Sequence, residues 1–205
     1  FCEGSTNHCY ISTNSSGYLE VRNGSGTLLG TSTGATINTN NWTFIEMKVY
    51  VHSSAGTVDV RINGVSVLSL TGKNTRNGGS GILSTLYIGQ TSTAVCFDGY
   101  IDDLYLCNSS GSTNTTFLGD VRIDTLLPTG DGNYTQFTPS TGTAHYSNVN
   151  KTTPSTTPYN SSATSGQRDS YTFPTLASLT SQTIYGIQIN AAALKSDAGA
   201  RSLGT

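Results

Sequence analysis

The sequence predicts an all-β fold in which short antiparallel strands are joined by tight turns. Charged residues make up only 11% of the 205-residue chain, whereas Gly contributes 23 residues and Tyr 11. The abundant Ser and Thr residues compete with a helical backbone for hydrogen bonds, and Thr and Tyr favour strands. Apolar and polar residues also alternate with a period of two in segments separated by turn residues, a pattern typical of a sandwich or barrel.

The alternating segments define a series of predicted strands in the first half of the chain. These strands are 18–22, 27–30, 42–51, 57–62, 65–70, 83–89 and 100–107. Asn23-Gly24 and Asn63-Gly64 lie between successive segments and predict hairpin turns. The longest segment, 42–51, carries its aliphatic residues on one face, which we expect to face the core.

Composition divides the chain into two predicted modules. Residues 1–107 form the first module, 108–116 form a polar linker of small residues, and 117–205 form a second, smaller β-sandwich module. The predicted elements of the second module are strands at 117–127, 171–173 and 183–194, a turn at 128–133 and a long polar excursion at 138–166. Because the strand pattern is cut at both ends, we expect further strands from a longer natural chain or from a neighbouring subunit.

The charge of the chain and the length of its apolar runs argue against two classes of partner, nucleic acids and membranes. The net charge is -2 and the isoelectric point is about 5.8. Without a basic stripe to neutralise phosphates, the chain is not expected to bind nucleic acid. Because the longest apolar runs fall well short of about 20 residues, membrane insertion is not expected either.

Four cysteines, Cys2, Cys9, Cys96 and Cys107, are candidates for disulfide bonds. Cys2 and Cys9 flank a predicted four-residue hairpin loop that places them opposite each other, within reach of a disulfide. Cys96 and Cys107 form the other candidate pair, although Cys107 also suits a buried thiol. A zinc site built from Cys2, His8 and Cys9 is an alternative, but its spacing fits no standard zinc finger.

Four blocks of the first half occur in an order that carries a family resemblance. The blocks are 41–46 (NWTFIE), 56–64 (GTVDVRING), 86–89 (LYIG) and 97–105 (FDGYIDDLY). This order resembles laminin-G-like jelly rolls of the concanavalin superfamily over residues 10–107. The resemblance implies an antiparallel jelly-roll sandwich, with the Asn-Gly pair as a tight hairpin and the Asp pair capping turn amides.

The whole chain is also similar to a group of bacteriophage structural proteins, in which a laminin-G-like jelly roll precedes a second β module. The matching stretches are 17–24, 102–107, 117–126 and 195–202. This resemblance implies a tail, fibre or capsid-surface component of a virion. Such a protein associates with itself and with other virion proteins, and its location is the virion surface or the extracellular space.

The acidic residues and histidines do not form a recognisable catalytic pattern. The chain has three Glu residues, Glu3, Glu20 and Glu46. None belongs to the closely spaced Glu-x-Asp-x-x-Glu arrangement of the jelly-roll glucanases, and retaining hydrolysis needs two carboxyl groups about 5 Å apart. The three histidines, His8, His52 and His145, are isolated, are expected in turns or at the surface, and accompany no Gly-x-Ser-x-Gly elbow. We therefore predict a non-enzymatic protein with no catalytic residues and no cofactor.

Calcium is the metal that the acidic residues suit best, because it takes oxygen ligands from Asp, Asn and carbonyl groups. The candidate groups are Asp98 with Asp102 and Asp103, Asp120 with Asp124, and Asp131 in a Gly-Asp-Gly turn. Capping of turn amides explains the same residues without a metal, so no metal site is predicted.

The alternative function is a secreted or surface carbohydrate-binding or adhesion module. Aromatic residues in or beside the polar excursion are candidates for stacking on the sugar rings of a host-surface glycan, and they equally suit packing of loops on the sandwich. They are Tyr134, Phe137, Tyr146, Tyr159 and Tyr171. Asn-x-Ser/Thr sequons occur at Asn14, Asn23, Asn41, Asn108, Asn114, Asn133, Asn150 and Asn160. Glycosylation of these residues would accompany the secreted alternative.

Overall fold

The structure is a computed structural model that describes residues 1–34, 37–89, 99–176, 183–196 and 198. Over these residues the fold is all-β apart from a single turn of helix, which confirms the all-β part of the predicted fold class. The sheets are antiparallel, and none of those described closes into a barrel. The chain divides into two compact units, Phe1–Ile123 (unit 1) and Asp124–Thr205 (unit 2).

Unit 1 consists of a short hairpin and two three-stranded sheets. Its described strands are β1 (Cys2–Glu3), β2 (Thr6–Asn7), β3 (Cys9–Thr13), β4 (Leu19–Asn23), β5 (Leu28–Thr31), β6 (Ile45–Tyr50), β7 (Gly56–Ile62) and β8 (Val65–Lys73). Strands β1 and β2 form the hairpin, while β3-β4-β5 and β6-β7-β8 form the two sheets, each with its strands in chain order. The predicted strands between residues 18 and 70 are therefore confirmed.

The core of unit 1 lies on the central strands of both sheets. Alternate residues of β4 and β7 are buried because successive side chains of a strand point to opposite faces. The buried apolar residues are Cys9, Leu19, Val21, Val58, Val60 and Ile62. Met47 and Val49 of β6 pack against this cluster, so the aliphatic face of that strand faces the core as predicted.

The Asn63-Gly64 hairpin is present in the predicted place. Ile62 pairs with Val65, which leaves two residues in the loop. Both adopt positive φ, 49° at Asn63 and 79° at Gly64, which is the conformation of a type I′ turn. Phe44 donates its backbone N–H to the Asn63 side-chain oxygen at 3.0 Å, so the turn also holds the chain that enters β6.

Unit 2 is built from short elements. They are β9 (Gly130–Thr135), β10 (Thr138–Pro139), α1 (Tyr146–Val149), β11 (Asn160–Ser161) and β12 (Asp169–Thr172). Strand β9 pairs with β12 and β10 pairs with β11, both antiparallel. The predicted turn at 128–133 is wrong, because Gly130–Thr135 pairs as a strand. Gly132 is needed there, since a Cβ would lie 3.0 Å from the Ser170 backbone.

Several predicted strands do not form. Segments 83–89, 100–107, 117–127 and 183–194 form no ladder with other described residues, apart from a single bridge between Thr85 and Cys2. Alternation marks a segment that can pair, but pairing also needs a free sheet edge within reach. The resemblance block at 97–98 and the Cys96 candidate lie outside the described residues.

The second compact unit begins later in the chain than the predicted module. Residues 117–119 pack on unit 1, where the Arg61 guanidinium lies 4.2 Å from the centroid of the Phe117 ring. Gly119 donates its N–H to Glu46 of β6 at 3.0 Å. These contacts place the boundary between units at Ile123 and Asp124 rather than at residue 117. Among the described residues, no helix is long and apolar enough to cross a membrane.

Candidate functional site

A buried carboxylate joins sheet β6-β7-β8 to the irregular segment 99–123. Glu46 is only 3% exposed, and its Oε1 accepts hydrogen bonds from the Tyr105 hydroxyl at 2.5 Å and from Gly119 N–H at 3.0 Å. Burial, together with the bond to Glu46, raises the pKa of Tyr105 to about 12. Glu46 Oε2 has no hydrogen-bond partner among the described residues. The Glu46 carboxylate therefore anchors segment 99–123, which we call the covering segment, to strand β6.

A pocket opens in unit 1 where this covering segment passes Trp42. It has a volume of about 380 Å³ and is lined by Trp42, Asp102, Asp103 and Arg122. Trp42 is 73% exposed, so most of the indole surface is open to solvent. The pocket combines one aromatic ring, two carboxylates and one guanidinium, which are groups that recognise small polar molecules.

The two aspartates of the pocket are fixed by backbone hydrogen bonds. Asp103 adopts a positive φ of 53°, and its N–H donates to Asp102 Oδ1 at 2.8 Å. Ile123 donates its N–H to Asp103 Oδ1, also at 2.8 Å, which holds the residue next to Arg122. Asp98, the third member of the predicted calcium group, lies outside the described residues. Elsewhere in the described chain no three His, Cys, Asp or Glu side chains are placed to hold a metal ion.

Unit 2 contains a buried acid–histidine pair. His145 Nδ1 lies 2.8 Å from Asp169 Oδ2, and the two side chains are 9% and 3% exposed. Burial alone would raise the pKa of Asp169, but hydrogen bonds from Phe137 N–H and from His145 outweigh it and lower that pKa. Asp131 of β9 accepts the backbone N–H groups of His145 and Tyr146 at 3.1 and 2.6 Å.

Amide side chains extend this network through the polar excursion. Asn160 donates to the His145 carbonyl at 2.9 Å and to the Tyr171 hydroxyl at 3.0 Å. Asn148, which is 5% exposed, donates to Asn160 Oδ1 at 2.9 Å and accepts from the Thr141 hydroxyl at 3.0 Å. The excursion is therefore ordered by buried polar contacts. Sequence reasoning missed this network because its members are far apart in the chain and carry no local motif.

An acid–histidine pair is also the arrangement that orients the base of a catalytic triad. Across the described residues no serine, threonine or cysteine forms a hydrogen bond with the His145 ring. The pair and its neighbours hold backbone groups at Phe137 and His145, and Asp169 also accepts the Tyr171 hydroxyl, so the geometry supports a role in ordering the loop.

The prediction that the histidines are isolated turn or surface residues is wrong for His8 and His145, which are 0% and 7% exposed. His8 Nε2 lies 3.2 Å from Glu3 Oε2, and His8 Nδ1 accepts the Asn77 N–H at 3.1 Å. Hydrogen bonds from the Ser80 hydroxyl and Gly81 N–H lower the pKa of Glu3. His52 does lie at a turn, where its Nδ1 accepts two backbone N–H groups.

The cysteine predictions are corrected at the first hairpin. Cys2 pairs with Asn7 across a two-residue turn, whereas Cys9 belongs to β3 and pairs with Asn23. The predicted register that placed Cys2 opposite Cys9 is therefore wrong, and the thiols of Cys2, Cys9 and Cys107 are free. Burial raises the pKa of Cys9 to about 11. Both ring nitrogens of His8 are engaged, which leaves neither for the zinc alternative.

The five candidate glycan-contact aromatics differ in exposure. Tyr134 is 47% exposed and Tyr159 is 50% exposed. Phe137, Tyr146 and Tyr171 are partly buried. The Tyr171 hydroxyl donates to Asp169, and the Arg168 guanidinium lies 5.8 Å from the centroid of the Tyr134 ring.

The chain matches no protein-family model, no curated protein and no solved structure. The resemblance to laminin-G-like jelly rolls and to bacteriophage structural proteins therefore depends on the sequence blocks alone. Any functional conclusion has to be argued from surface chemistry and from those blocks.

Proposed function

We propose that the protein is a non-enzymatic structural component of a bacteriophage virion, at the tail, the fibre or the capsid surface. In this proposal unit 1 is a laminin-G-like jelly roll. The protein associates with copies of itself and with other virion proteins through β-rich surfaces. One observation carries the proposal beyond the sequence blocks: an apolar, strand-like segment of unit 2 is exposed along its whole length.

That segment is 183–194, in which every residue is exposed. Ile187 is 84% exposed, Ile189 is 70% exposed and Leu194 is 91% exposed. Burying one such side chain contributes about 1.5–3 kcal/mol, so leaving several in water is costly. Clusters of exposed apolar side chains of this kind mark interaction surfaces.

The pattern of the segment favours pairing by strand addition. Tyr185, Ile187 and Ile189 occupy alternate positions, so a strand over 183–194 would present them all on one face. In the described part of unit 2, β9 and β12 form a two-stranded sheet with one neighbour for each strand. Such a sheet is marginally stable by itself and offers backbone groups to an added strand. A second copy of the chain can supply that strand.

Unit 1 carries a second exposed apolar segment, at 100–106. Tyr100, Ile101, Leu104 and Leu106 are all more than half exposed. This segment was also predicted as a strand and has no ladder in the structure. Two such segments support an assembly with more than one type of contact.

Self-association is tested by charge substitution on the apolar face of 183–194. We expect I187D/I189D to shift the wild-type oligomer to monomer, because two carboxylates cannot be buried unpaired in an interface. The control Q188D/N190D places the same charges on the opposite face and keeps the oligomer. Sedimentation velocity measures both. A wild-type monomer at all concentrations, or equal effects of the two variants, contradicts association through this segment.

The virion location is tested separately, by quantitative mass spectrometry of purified particles. We expect the protein at a fixed ratio to the other virion proteins. Its recovery only as a free monomer outside the particles would refute the virion assignment.

A carbohydrate-binding or adhesion module is the second candidate function. The observation that favours it is the exposed indole of Trp42 beside a polar pocket. Glycan-array binding above background tests this candidate, and a virion surface protein can also bind glycan.

A further inference from the structure

We propose that the Trp42 pocket binds an uncharged pyranose unit of a glycan. This inference rests on the second candidate function and names a site that the sequence did not indicate. Its basis is the combination of an exposed aromatic plane, fixed hydrogen-bond acceptors and a guanidinium around one cavity.

The aromatic wall suits the apolar face of a sugar ring. A pyranose presents C–H groups on its faces and hydroxyl groups around its edge. The Trp42 side chain is 73% exposed and lines the cavity, so a ring can stack on the indole with little rearrangement. Trp offers a large apolar surface with a defined stacking geometry.

The polar walls suit hydroxyl groups. Each hydroxyl is both a donor and an acceptor, so it is best satisfied by a mixture of acceptors and donors. Asp102 and Asp103 supply carboxylate oxygens, and Arg122 supplies guanidinium N–H groups. A guanidinium has five N–H donors and a carboxylate has about four lone-pair sites. The backbone hydrogen bonds at Asp102 and Asp103 each engage an Oδ1 atom, and we infer that a ligand uses the other carboxylate oxygens.

The charge of the pocket favours an uncharged sugar over an acidic one. Two carboxylates and one guanidinium give the lining a net charge of about -1. A carboxylated sugar would meet like charges, and like charges in one site are unfavourable. A quaternary ammonium group would be repelled by the Arg122 guanidinium and would contact one aromatic ring, whereas such cations are usually bound by several aromatic rings.

The acidic wall of the pocket is held by backbone hydrogen bonds. Asp102 and Asp103 are tied to each other, and Asp103 is tied to Ile123, through hydrogen bonds of 2.8 Å. Phe44, two residues after Trp42, stacks on Tyr105 with ring centroids 6.5 Å apart. The aromatic wall and the acidic wall are therefore both attached to the segment 99–123. A volume of about 380 Å³ lies at the lower end of the range for small-molecule pockets, which suits one sugar unit.

The test titrates the whole protein with methyl galactoside, methyl glucoside, N-acetylglucosamine, the methyl glycoside of sialic acid and choline. Trp42 is the chain's one Trp, so its fluorescence reports on the site directly. We expect saturable quenching or enhancement by at least one uncharged sugar. The sialic acid glycoside and choline should give none. Glycan-array binding is measured in parallel with wild type, W42A, D102N and Y50A.

We expect W42A and D102N to weaken array binding at least tenfold. Y50A removes another exposed aromatic of unit 1, at 56% exposure, and should leave binding unchanged. Array binding that survives W42A overturns this site while leaving a glycan-binding function in place. Absence of any array signal refutes both the site and the second candidate function. A preference for the sialic acid glycoside or choline overturns the uncharged-sugar assignment. None of these outcomes bears on the virion proposal.

Discussion

At the scale of single residues, buried polar side chains hold the irregular segments of this protein. Thr75 is fully buried, and its hydroxyl donates to the Tyr50 carbonyl at 2.8 Å and accepts His52 N–H at 2.9 Å. Glu46 likewise holds segment 99–123 by accepting the Gly119 N–H. The bond between His145 and Asp169 holds the excursion of unit 2. A fold with few buried apolar residues depends strongly on such contacts.

The His145–Asp169 pair gives a prediction with a defined dependence on pH. Asp169→Asn removes the carboxylate that binds Phe137 N–H and His145, and we expect unit 2 to lose about 2 kcal/mol of stability at pH 7. Folding lowers the pKa of Asp169. The stability that this carboxylate contributes is therefore fully present above the pKa of an Asp in the unfolded chain, about 3.9. This stability is lost as the pH falls through the pKa of Asp169 in the folded state.

Amide hydrogen exchange over residues 137–149 measures this effect at pH 7 and in acid. The difference between wild type and Asp169→Asn should shrink below about pH 4. Asp120→Asn, at an exposed position, is the control and should behave like wild type. A difference that stays constant with pH would mean that the carboxylate's charge does not contribute.

At the scale of elements, β7 is the strand on which unit 1 depends most. It is the centre of its sheet and buries Val58, Val60 and Ile62. Strand β8, on its edge, exposes Val65 at 66%. The same residue type therefore occurs in the core and on the surface of one sheet.

The two valines make a matched pair of substitutions. Val60→Ala removes buried methyl groups and leaves a small cavity, so we expect a loss of about 2 kcal/mol in the free energy of unfolding. Val65→Ala should change it by less than about 0.5 kcal/mol. Urea unfolding followed by Trp42 fluorescence measures both. Equal effects of the two substitutions would show that β7 is not the core strand.

Alternation in the sequence was sufficient to identify β4, β6, β7 and β8, because each satisfies the period of two next to a local hairpin partner. It failed for 83–89, 100–107 and 183–194, which form no ladder with other described residues. It also failed for β9, whose Gly-rich sequence has low strand propensity and is a strand because of its pairing with β12. Strand identity thus depended on contacts that are distant in the chain.

At the scale of the whole molecule, the sequence predicted the all-β character of the fold, but it did not predict which distant residues would meet. Asp102 and Asp103 were singled out as calcium candidates from local spacing, and Trp42 only as part of a core strand. Their meeting with Arg122 in one pocket depends on how segment 99–123 crosses the sheet. No local pattern encodes that crossing. The bacteriophage assignment likewise depends on ordered blocks rather than on any single residue.

The Asn-Gly turns also govern how this protein ages chemically. Asn-Gly pairs deamidate when the Gly nitrogen attacks the Asn side chain, which requires a mobile backbone and a free amide. The side-chain oxygens of Asn23 and Asn63 both accept backbone hydrogen bonds, from Thr27 and Phe44 respectively. At Asn77-Gly78 the structure gives a bond only to the backbone N–H of Asn77. Peptide mapping after storage at mild alkaline pH should therefore find isoaspartate first at residue 77. The new charge would arise on the residue whose backbone N–H donates to the buried His8, so chemical ageing would first alter the contact between residue 77 and His8.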